Sequence, residues 1–141
     1  MATDSRISVD HRLNGILIPH SIVTILGKIK PDPDRLGIDF RKDNRNICFH
    51  FDVRFKGSKK IVCNNLKDDV YGIEEIKSDI SPFSPGKTFK IDIECMEDCF
   101  KVSVDDNYLL TFNARMKPLK DINHINIWGD IEFSGCLITL K

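Results

Sequence analysis

The sequence predicts an all-β fold, in which two antiparallel sheets pack as a sandwich. Apolar and polar residues alternate in many short segments, and turn signals separate these segments at short intervals. No window of twelve or more residues shows the apolar stripe of an amphipathic helix. The alternation also argues against a parallel sheet, whose strands are continuously apolar. About ten short strands in one chain are typical of a sandwich.

The first half of the chain contains four predicted strands. Ser21–Ile29 is rich in β-branched residues, and Leu36–Phe40 and Asn46–Phe55 both alternate. Ile61–Asn64 follows a short turn and can pair with the strand before it. The intervening turns are Pro31–Asp34 and Lys56–Lys60.

The second half contains five more predicted strands, which start after the turn at Pro85-Gly86 and continue past a second turn at Asp105–Asn107. Isoleucine, valine and phenylalanine recur at every second position in most of them. In chain order they are Thr88–Glu94, Cys99–Val104, Tyr108–Phe112, Ile122–Trp128 and Ile131–Leu140.

Length and composition indicate one domain, residues 1–141, with residues 1–20 as an N-terminal arm and first strand. The chain has 141 residues, 41% of them hydrophobic, which is enough for a single core. Twenty-one basic residues balance twenty-one acidic residues, so we expect no general electrostatic binding of nucleic acid. No apolar run approaches the ~20 residues that cross a bilayer, and we expect no membrane insertion.

Cysteine usage predicts reduced thiols in a cytoplasmic protein. The chain has five cysteines, an odd number, and its first residues contain no apolar stretch like that of a signal peptide. Cys95 and Cys99 are separated by three residues, but no second Cys/His pair completes a zinc site. We therefore expect no bound metal.

The strand at Asn46–Phe55 carries the most informative pattern. Alternate side chains point to opposite faces of a strand, which predicts an apolar core face made of Ile47, Phe49, Phe51, Val53 and Phe55. The opposite face then presents His50, Asp52 and Arg54. An imidazole, a carboxylate and a guanidinium together supply donors and acceptors that suit a polyhydroxylated ligand. A solvated outer face of a sandwich shows the same alternation.

Three residues beyond this strand favour a binding site over a merely solvated face. Asn64 adds an amide with both a donor and acceptors. Tyr71, which precedes a glycine, offers a ring on which the C–H face of a sugar can pack. Glu74 can accept hydroxyl groups and can also pair with Arg54, which would hold both side chains in place before a ligand binds.

At these residues the chain resembles the galectins, a family of β-galactoside-binding lectins. The family pattern His-x-Asn-x-Arg, Val-x-Asn and Trp-Gly-x-Glu-x-Arg is matched by His50-x-Asp52-x-Arg54, Val62-x-Asn64 and Tyr71-Gly72-x-Glu74-x-Ile76. Four later segments also follow the family order: Ser81–Gly86, Phe100–Val104, Phe112-Asn113-x-Arg115 and Ile127-x-Gly129-Asp130. The resemblance covers the chain from about Ile22 to Lys141. The resemblance implies a two-sheet jelly roll.

The resemblance implies a role for each matched position. His50 and Arg54 would bond the axial 4-hydroxyl of galactose, and Asn64 and Glu74 would contact the 6-hydroxyl. Arg54 and Glu74 would also contact the second sugar. These contacts are direct hydrogen bonds, so no cofactor is expected. The partners implied are glycans or glycoproteins that contain β-galactosides.

Three positions depart from the family pattern. Asp52 replaces an asparagine, Tyr71 replaces the stacking tryptophan, and Ile76 replaces an arginine that bonds the second sugar. Together they predict weakened or altered lactose binding. Lys59 and Lys60, in a short turn, are candidates for meeting an anionic group on a larger glycan, or are simply solvated. Trp128 lies far along the chain from the motif, which favours a packing or subunit-contact role.

Two other hypotheses stay open. One is a galectin-like protein that has lost sugar binding and acts through protein contacts. The other is an enzyme with a Cys48–His50 pair, but residues two apart on a strand stand near 7 Å, too far for a nucleophile and its base. We expect a non-enzyme. The resemblance also implies a possible homodimer, and export to the cell exterior without a signal peptide.

Overall fold

The computed structural model describes residues 6–13 and 15–140, and these residues form twelve strands. Residues 1–20 were predicted to form an N-terminal arm and first strand. Of these, residues 1–5 and 14 lie outside the described residues, and the first strand lies within them. The strands are β1 Ile7–Arg12, β2 Ser21–Ile29, β3 Arg35–Asp43, β4 Asn46–Arg54, β5 Lys60–Lys67, β6 Val70–Tyr71, β7 Glu75–Lys77, β8 Thr88–Cys95, β9 Cys99–Val104, β10 Asn107–Asn113, β11 His124–Gly129 and β12 Ile131–Thr139.

The strands form two antiparallel sheets. The larger sheet has the order β1-β11-β3-β4-β5-β6, and β7 also pairs with β5. The smaller sheet has the order β10-β9-β8-β2-β12. Several neighbours come from distant parts of the sequence, such as β11 beside β3 and β12 beside β2, as in a jelly roll. The predicted all-β, two-sheet antiparallel jelly-roll sandwich is therefore confirmed, and none of the described residues forms a helix that could span a membrane.

The core lies between the sheets and is built largely from phenylalanine. Phe49 on β4 stacks between two rings of the opposite sheet, with centroid distances of 4.9 Å to Phe100 and 5.0 Å to Phe112. Phe40 on β3 closes the cluster at 5.5 Å from Phe100. Stacked aromatic pairs contribute beyond their buried area, so this cluster fixes how the sheets pack. β4 is thereby held against the smaller sheet.

All nine strands predicted between residues 21 and 140 are present, with bounds that differ by a few residues. The largest differences are at β3 and β5, which continue three residues past the predicted ends. The two short strands β6 and β7 were not predicted, because neither is long enough to show an alternation. Leu119–Asp121 forms a single 3-10 turn before β11.

A β-bulge at the start of β4 corrects one face assignment. Phe49 pairs with Phe40 on β3, but the next pair along is Ile47 with Arg41, so Cys48 is an extra residue in the ladder. Cys48 joins the continuous core, whereas Ile47 is buried outside it. The prediction that Ile47 shares the core face with Phe49 is therefore wrong, because strict alternation fails where a residue is inserted.

Candidate functional site

The outer face of the larger sheet carries polar residues in register across neighbouring strands. In one cross-strand row Asp39 on β3 pairs with His50 on β4, and His50 pairs with Asn64 on β5. The next row places Gly37 beside Asp52, followed by Val62 and then Ile76 on β7. The same row continues the other way, from Gly37 to Trp128 on β11 and Ser8 on β1.

These rows line a pocket of about 510 Å³. All six site residues predicted from the sequence line it, and eight further residues contribute to its walls. The predicted six are His50, Asp52, Arg54, Asn64, Tyr71 and Glu74, and the others are Ser8, Arg35, Asp39, Arg41, Val62, Gly72, Asn126 and Trp128.

His50 is held in one orientation by a buried carboxylate. Its Nδ1 lies 2.5 Å from Asp39 Oδ1. A carboxylate only accepts hydrogen bonds, so Nδ1 carries the proton and donates. In the neutral ring Nε2 is then an acceptor, available to a hydroxyl group. Asp39 therefore sets the hydrogen-bonding role of His50, although the sequence analysis did not identify it as a site residue.

Trp128 belongs to the same arrangement. Its Nε1 donates to Asp39 Oδ2 at 3.1 Å, and its ring lies nearly parallel to His50, with centroids 6.4 Å apart. Trp128 is distant from the motif along the chain but close to it in space, because β11 pairs with β3, one strand away from β4. The packing or subunit-contact role expected for it stays a prediction. Distance along the chain says little about distance in an antiparallel sheet.

Arg54 is fixed between two carboxylates. Its Nε donates to Asp52 Oδ2 at 3.0 Å, and its outer nitrogen lies 3.8 Å from Glu74 Oε2. The predicted pairing of Arg54 with Glu74 is therefore present. Asp52 is fully buried, and its Oδ2 also lies 3.7 Å from Arg35. Its Oδ1 accepts no hydrogen bond from the described residues, which leaves one buried acceptor unpaired.

Asn64 is oriented by an arginine that follows β10, an edge strand of the smaller sheet. Arg115 follows β10, and one of its terminal nitrogens donates to Asn64 Oδ1 at 3.0 Å and to Asn65 Oδ1 at 2.9 Å. The other terminal nitrogen donates to the Ile73 carbonyl at 2.7 Å and to Glu75 at 2.8 Å. Arg115 thus ties β5 to the loop between β6 and β7, which contains Glu74 and follows directly after Tyr71.

The remaining bonds of Asn64 leave one donor for a ligand. Its Nδ2 donates to the Gly72 carbonyl at 2.9 Å, and its Oδ1 also accepts from the Asn65 backbone. Among the described residues only the Gly72 carbonyl accepts from Nδ2, so one of its two N–H groups can donate to a ligand. Gly72 is needed here because a Cβ would lie 2.7 Å from Asn65 Oδ1 and 2.9 Å from Arg115.

Tyr71 lies at the rim of the pocket and is about half exposed. Its ring centroid is 5.5 Å from that of His50, and the two rings are tilted by 54°. Partial burial raises the pKa of its phenol, followed in importance by the nearby Asp39 charge. The tyrosine therefore stays a neutral aromatic surface at physiological pH.

Cys48 does not face this pocket. The bulge directs it into the core, where burial raises the pKa of its thiol to about 11. A buried thiol with so high a pKa is protonated at neutral pH and is a poor nucleophile. The geometry argues against the Cys48–His50 pair considered from the sequence.

The sequence contains a signal for some, but not all, of the site residues that were not predicted. Gly37, Asp39 and Arg41 alternate on β3, and this polar face could have been matched to the neighbouring face of β4. Arg115 belongs to a segment that follows the family order, but no pattern gives it or Trp128 a role in the site, because both reach the site through tertiary structure.

The fold and the pocket together define a β-sandwich binding module with donors and acceptors arranged for a polyhydroxylated ligand. A family model described as galactoside-binding lectin matches residues 8–138. The chain therefore belongs to the galectins, the family of galactoside-binding lectins.

Individual relatives agree with this assignment. Galectin-3 of Oryctolagus cuniculus is 41% identical over 128 residues, which cover 89% of this chain and 52% of that protein. Galectin-3 of Mus musculus is 42% identical over 128 residues, which cover 89% of this chain and 48% of that protein. Galectin-8 of Rattus norvegicus is 36% identical over 120 residues, which cover 82% of this chain and 37% of that protein. The chain spans about half the length of the galectin-3 relatives. A structure of sheep galectin-11 in complex with glycerol, 21% identical, shares the fold with a TM-score of 0.81 over 98% of this chain and all of that one.

Proposed function

We propose that the chain is a lectin that binds β-galactosides or related glycans without catalysis, and that its affinity for lactose is weakened or altered. The observation that carries this proposal is the convergence of His50, Arg54, Asn64 and Glu74 on one pocket. Each of these side chains is held by a neighbour before any ligand arrives, which lowers the entropy cost of binding.

The four side chains divide donor and acceptor roles between them. His50 Nε2 accepts a hydroxyl proton, and Arg54 donates through guanidinium N–H groups not used by Asp52. Asn64 donates its unused amide N–H, and Glu74 accepts. A sugar hydroxyl is both donor and acceptor, so adjacent hydroxyls can satisfy this set. Tyr71 supplies the flat surface against which the sugar C–H groups pack.

The three departures from the family pattern support the weakened affinity. Ile76 is half exposed on the row that contains Asp52 and Val62, and it offers no donor to a second sugar. Losing one hydrogen bond from a charged group costs about 1.5–3 kcal/mol, or roughly tenfold or more in affinity. Tyr71 has a smaller ring system than tryptophan, which reduces the stacking area.

A specific observation favours loss of sugar binding as the second candidate. Asp52 is buried beneath Arg54 with one carboxylate oxygen unpaired, and its charge holds Arg54 Nε. If this pairing withdraws Arg54 from a ligand, the scaffold would act through protein contacts instead.

A broad glycan array with reduced protein distinguishes the two candidates, with free lactose as competitor. Galactoside signals that lactose competes away are the expected result. His50→Ala is the site variant and should lose them, whereas Lys101→Ala, on the opposite sheet, should keep them. Signals on other glycans that lactose leaves unchanged would indicate an altered specificity. A blank array with folded protein would reject the lectin proposal in favour of protein contacts.

We also propose a homodimer formed through the edge of the smaller sheet. β12 is nine residues long and lies at that edge, with Leu137 more than half exposed. A long edge strand with exposed apolar residues is prone to pair with another chain. Light scattering across a dilution series tests this, and a mass near 16 kDa at every concentration would exclude the dimer.

The five cysteines support our proposal that the chain is made in the cytoplasm, since all of them are free. Export to the cell exterior stays a prediction. Immunodetection of the untagged protein in fractionated cells and in medium would test both, and finding it only within a secretory compartment would contradict them.

A further inference from the structure

We propose that His20, Met96 and Cys99 form a site for a soft monovalent metal ion, Cu(I). The three side chains line one surface pocket of about 340 Å³, at the end of the smaller sheet where β8 turns into β9. This pocket shares no residue with the sugar pocket, which lies on the outer face of the larger sheet. The site is therefore separate from the proposed lectin function, and either can exist without the other.

The turn between β8 and β9 brings two sulfur atoms together. The Met96 N–H donates to the Cys99 carbonyl at 2.9 Å, which closes the hairpin and pairs the two residues. Cys99 Sγ lies 3.9 Å from Met96 Sδ, and the thiol donates to the thioether. A metal–thiolate bond is about 2.3 Å long, so two sulfurs bound to one ion at a tetrahedral or trigonal angle stand about 4 Å apart. A soft cation can therefore replace the thiol proton with little movement of either sulfur.

His20 lines the same pocket and supplies a nitrogen ligand. Its backbone N–H donates to the Cys95 carbonyl at 2.8 Å, which fixes the residue beside the start of the hairpin turn. Its Nδ1 lies 3.4 Å from Glu94 Oε2, so Nδ1 carries the proton and Nε2 is the acceptor nitrogen. Metal-binding histidines usually have such a carboxylate on the other ring nitrogen, because it fixes the tautomer. Glu94 is therefore a positioning residue for this site.

The donor set selects the kind of ion. A thiolate and a thioether are soft ligands that favour Cu(I), whereas magnesium and calcium favour oxygen ligands. Histidine, cysteine and methionine are also the ligand types of copper sites. Among the residues that the structure describes, no three His, Cys, Asp or Glu side chains are placed to hold a metal ion. A closed zinc site is therefore not available here, and the thioether of Met96 gives this cluster its preference.

The Cys95–Cys99 spacing is not what forms the site. Cys95 is buried in the core, whereas Cys99 is partly exposed and lines the pocket. Burial raises the pKa of the Cys95 thiol to about 12, which keeps it protonated at neutral pH. The expectation of no bound metal considered only Cys and His as ligands. Cys99 finds its sulfur partner in Met96 instead.

Binding exchanges one proton for the metal ion. The Cys99 thiol releases its proton, and its sulfur, the Met96 sulfur and His20 Nε2 each donate an electron pair to Cu(I). No electron is transferred, so neither an oxidant nor a reductant takes part. Reducing conditions keep both Cu(I) and the five free thiols in the required state.

Competition with bicinchoninate, a chelator that forms a coloured Cu(I) complex, tests the site in the reduced full chain without oxygen. We expect the chain to withdraw about one equivalent of Cu(I) from the chelator, and an excess of Zn²⁺ to leave that equivalent bound. X-ray absorption at the copper edge should show two sulfur neighbours and a nitrogen. Ag(I), a soft ion that does not change oxidation state, should raise the unfolding temperature.

The variants separate a three-ligand site from a single reactive thiol. Cys99→Ser should abolish the withdrawal of Cu(I). Met96→Leu and His20→Gln should each weaken binding more than tenfold, since loss of an outer partner alone costs about 10–100-fold. Cys136→Ser is the matched control, because Cys136 is another partly exposed thiol but does not line the pocket, and this variant should bind as the unmodified chain does.

Three results would each overturn the proposal. One is that the unmodified chain withdraws no Cu(I), and another is that Cys99→Ser binds it with unchanged affinity. The third is that Met96→Leu and His20→Gln both bind as the unmodified chain does, which would mean an adventitious thiol only. Denaturant unfolding without metal identifies any variant with a folding defect, and the sulfur count in the unmodified chain then decides. Lactose affinity should be equal with and without Cu(I), so a failure of the sugar site leaves this test intact.

Discussion

The carboxylate of Asp39 bonds two rings at once, with Oδ1 at 2.5 Å from His50 Nδ1 and Oδ2 at 3.1 Å from Trp128 Nε1. Asp39 is itself buried, and its Oδ2 also lies 3.4 Å from Arg41. One carboxylate therefore joins side chains of β3, β4 and β11. It orients His50 and Trp128 from beneath the pocket.

Replacing Asp39 should weaken lactose binding, although this side chain is buried beneath the pocket. Asp39→Asn keeps the shape but removes the charge that holds His50 Nδ1–H, and we expect roughly a tenfold loss of lactose affinity. Calorimetry measures the loss. Asp98→Asn is the matched control, because Asp98 pairs with Lys117 on an exposed surface away from the pocket. An affinity equal to that of the control variant would show that His50 needs no such support.

Arg115 should be a positioning residue for the sugar site. Arg115→Lys keeps the charge but cannot bond Asn64, Asn65, Ile73 and Glu75 together, since a lysine has no planar fork. We expect a five- to tenfold loss of lactose affinity. The loss should be smaller for a galactoside that lacks the 6-hydroxyl, because that hydroxyl is the expected partner of Asn64.

Arg45→Lys is the matched control for Arg115. Arg45 pairs with Asp69 in an exposed turn, with its Nε 2.7 Å from the carboxylate, and it does not line the pocket. This variant should bind both galactosides as the unmodified chain does. An equal loss for both galactosides in Arg115→Lys would indicate a general structural role instead.

Restoring an arginine at position 76 should strengthen lactose binding. Ile76 lies on the outer face beside Val62, so a guanidinium there can reach a second sugar. We expect Ile76→Arg to raise the affinity for lactose several-fold and to leave the affinity for methyl galactoside unchanged. Val70→Arg adds the same charge at an exposed position outside the pocket, and a similar gain in that variant would contradict the prediction.

Alkaline pH should destabilise the fold through its buried thiols. Burial raises the pKa of Cys63 and of Cys95 to about 12, from an ordinary value of 9.0. The folded chain therefore holds these protons more tightly than the unfolded chain does. The stabilisation is complete below pH 9 and is lost progressively as the pH rises toward 12.

Denaturant unfolding between pH 8 and pH 11 measures this dependence. Cys95→Ala should reduce the slope of unfolding free energy against pH. Val102→Ala, a buried substitution in the same sheet without a titrating group, should lower stability equally at every pH. Parallel curves for the unmodified chain and Cys95→Ala would exclude the thiol as a source of the pH dependence.

Motif spacing predicted six of the fourteen residues that line the pocket, and local alternation predicted most of the fold. It located β4 and the shared face of His50, Asp52 and Arg54, since a strand fixes side-chain direction every second residue. It failed at Cys48, because a bulge depends on how β4 pairs with β3 and leaves no mark in the alternation.

The contributions of Trp128 and Arg115 were beyond local reasoning for a different reason. Trp128 enters the site only because β11 pairs with β3, and Arg115 only because the chain after β10 passes close to the end of β5. These are consequences of jelly-roll topology, in which neighbours in space are distant in sequence. Asp39 could have been predicted as a site residue, because β3 alternates, but the sequence did not show that β3 pairs with β4.

β4 carries the stacked Phe49 on one side and His50 on the other, so the two sides cannot move independently. A substitution in the phenylalanine cluster that tilts this strand by a fraction of an ångström would reach the pocket undiminished, because close-packed interiors transmit strain. Substitutions of core residues that contact no ligand can therefore change which ligand this chain prefers. Measuring ligand affinity in variants of the core residues behind β4 would show how much of that affinity depends on core packing.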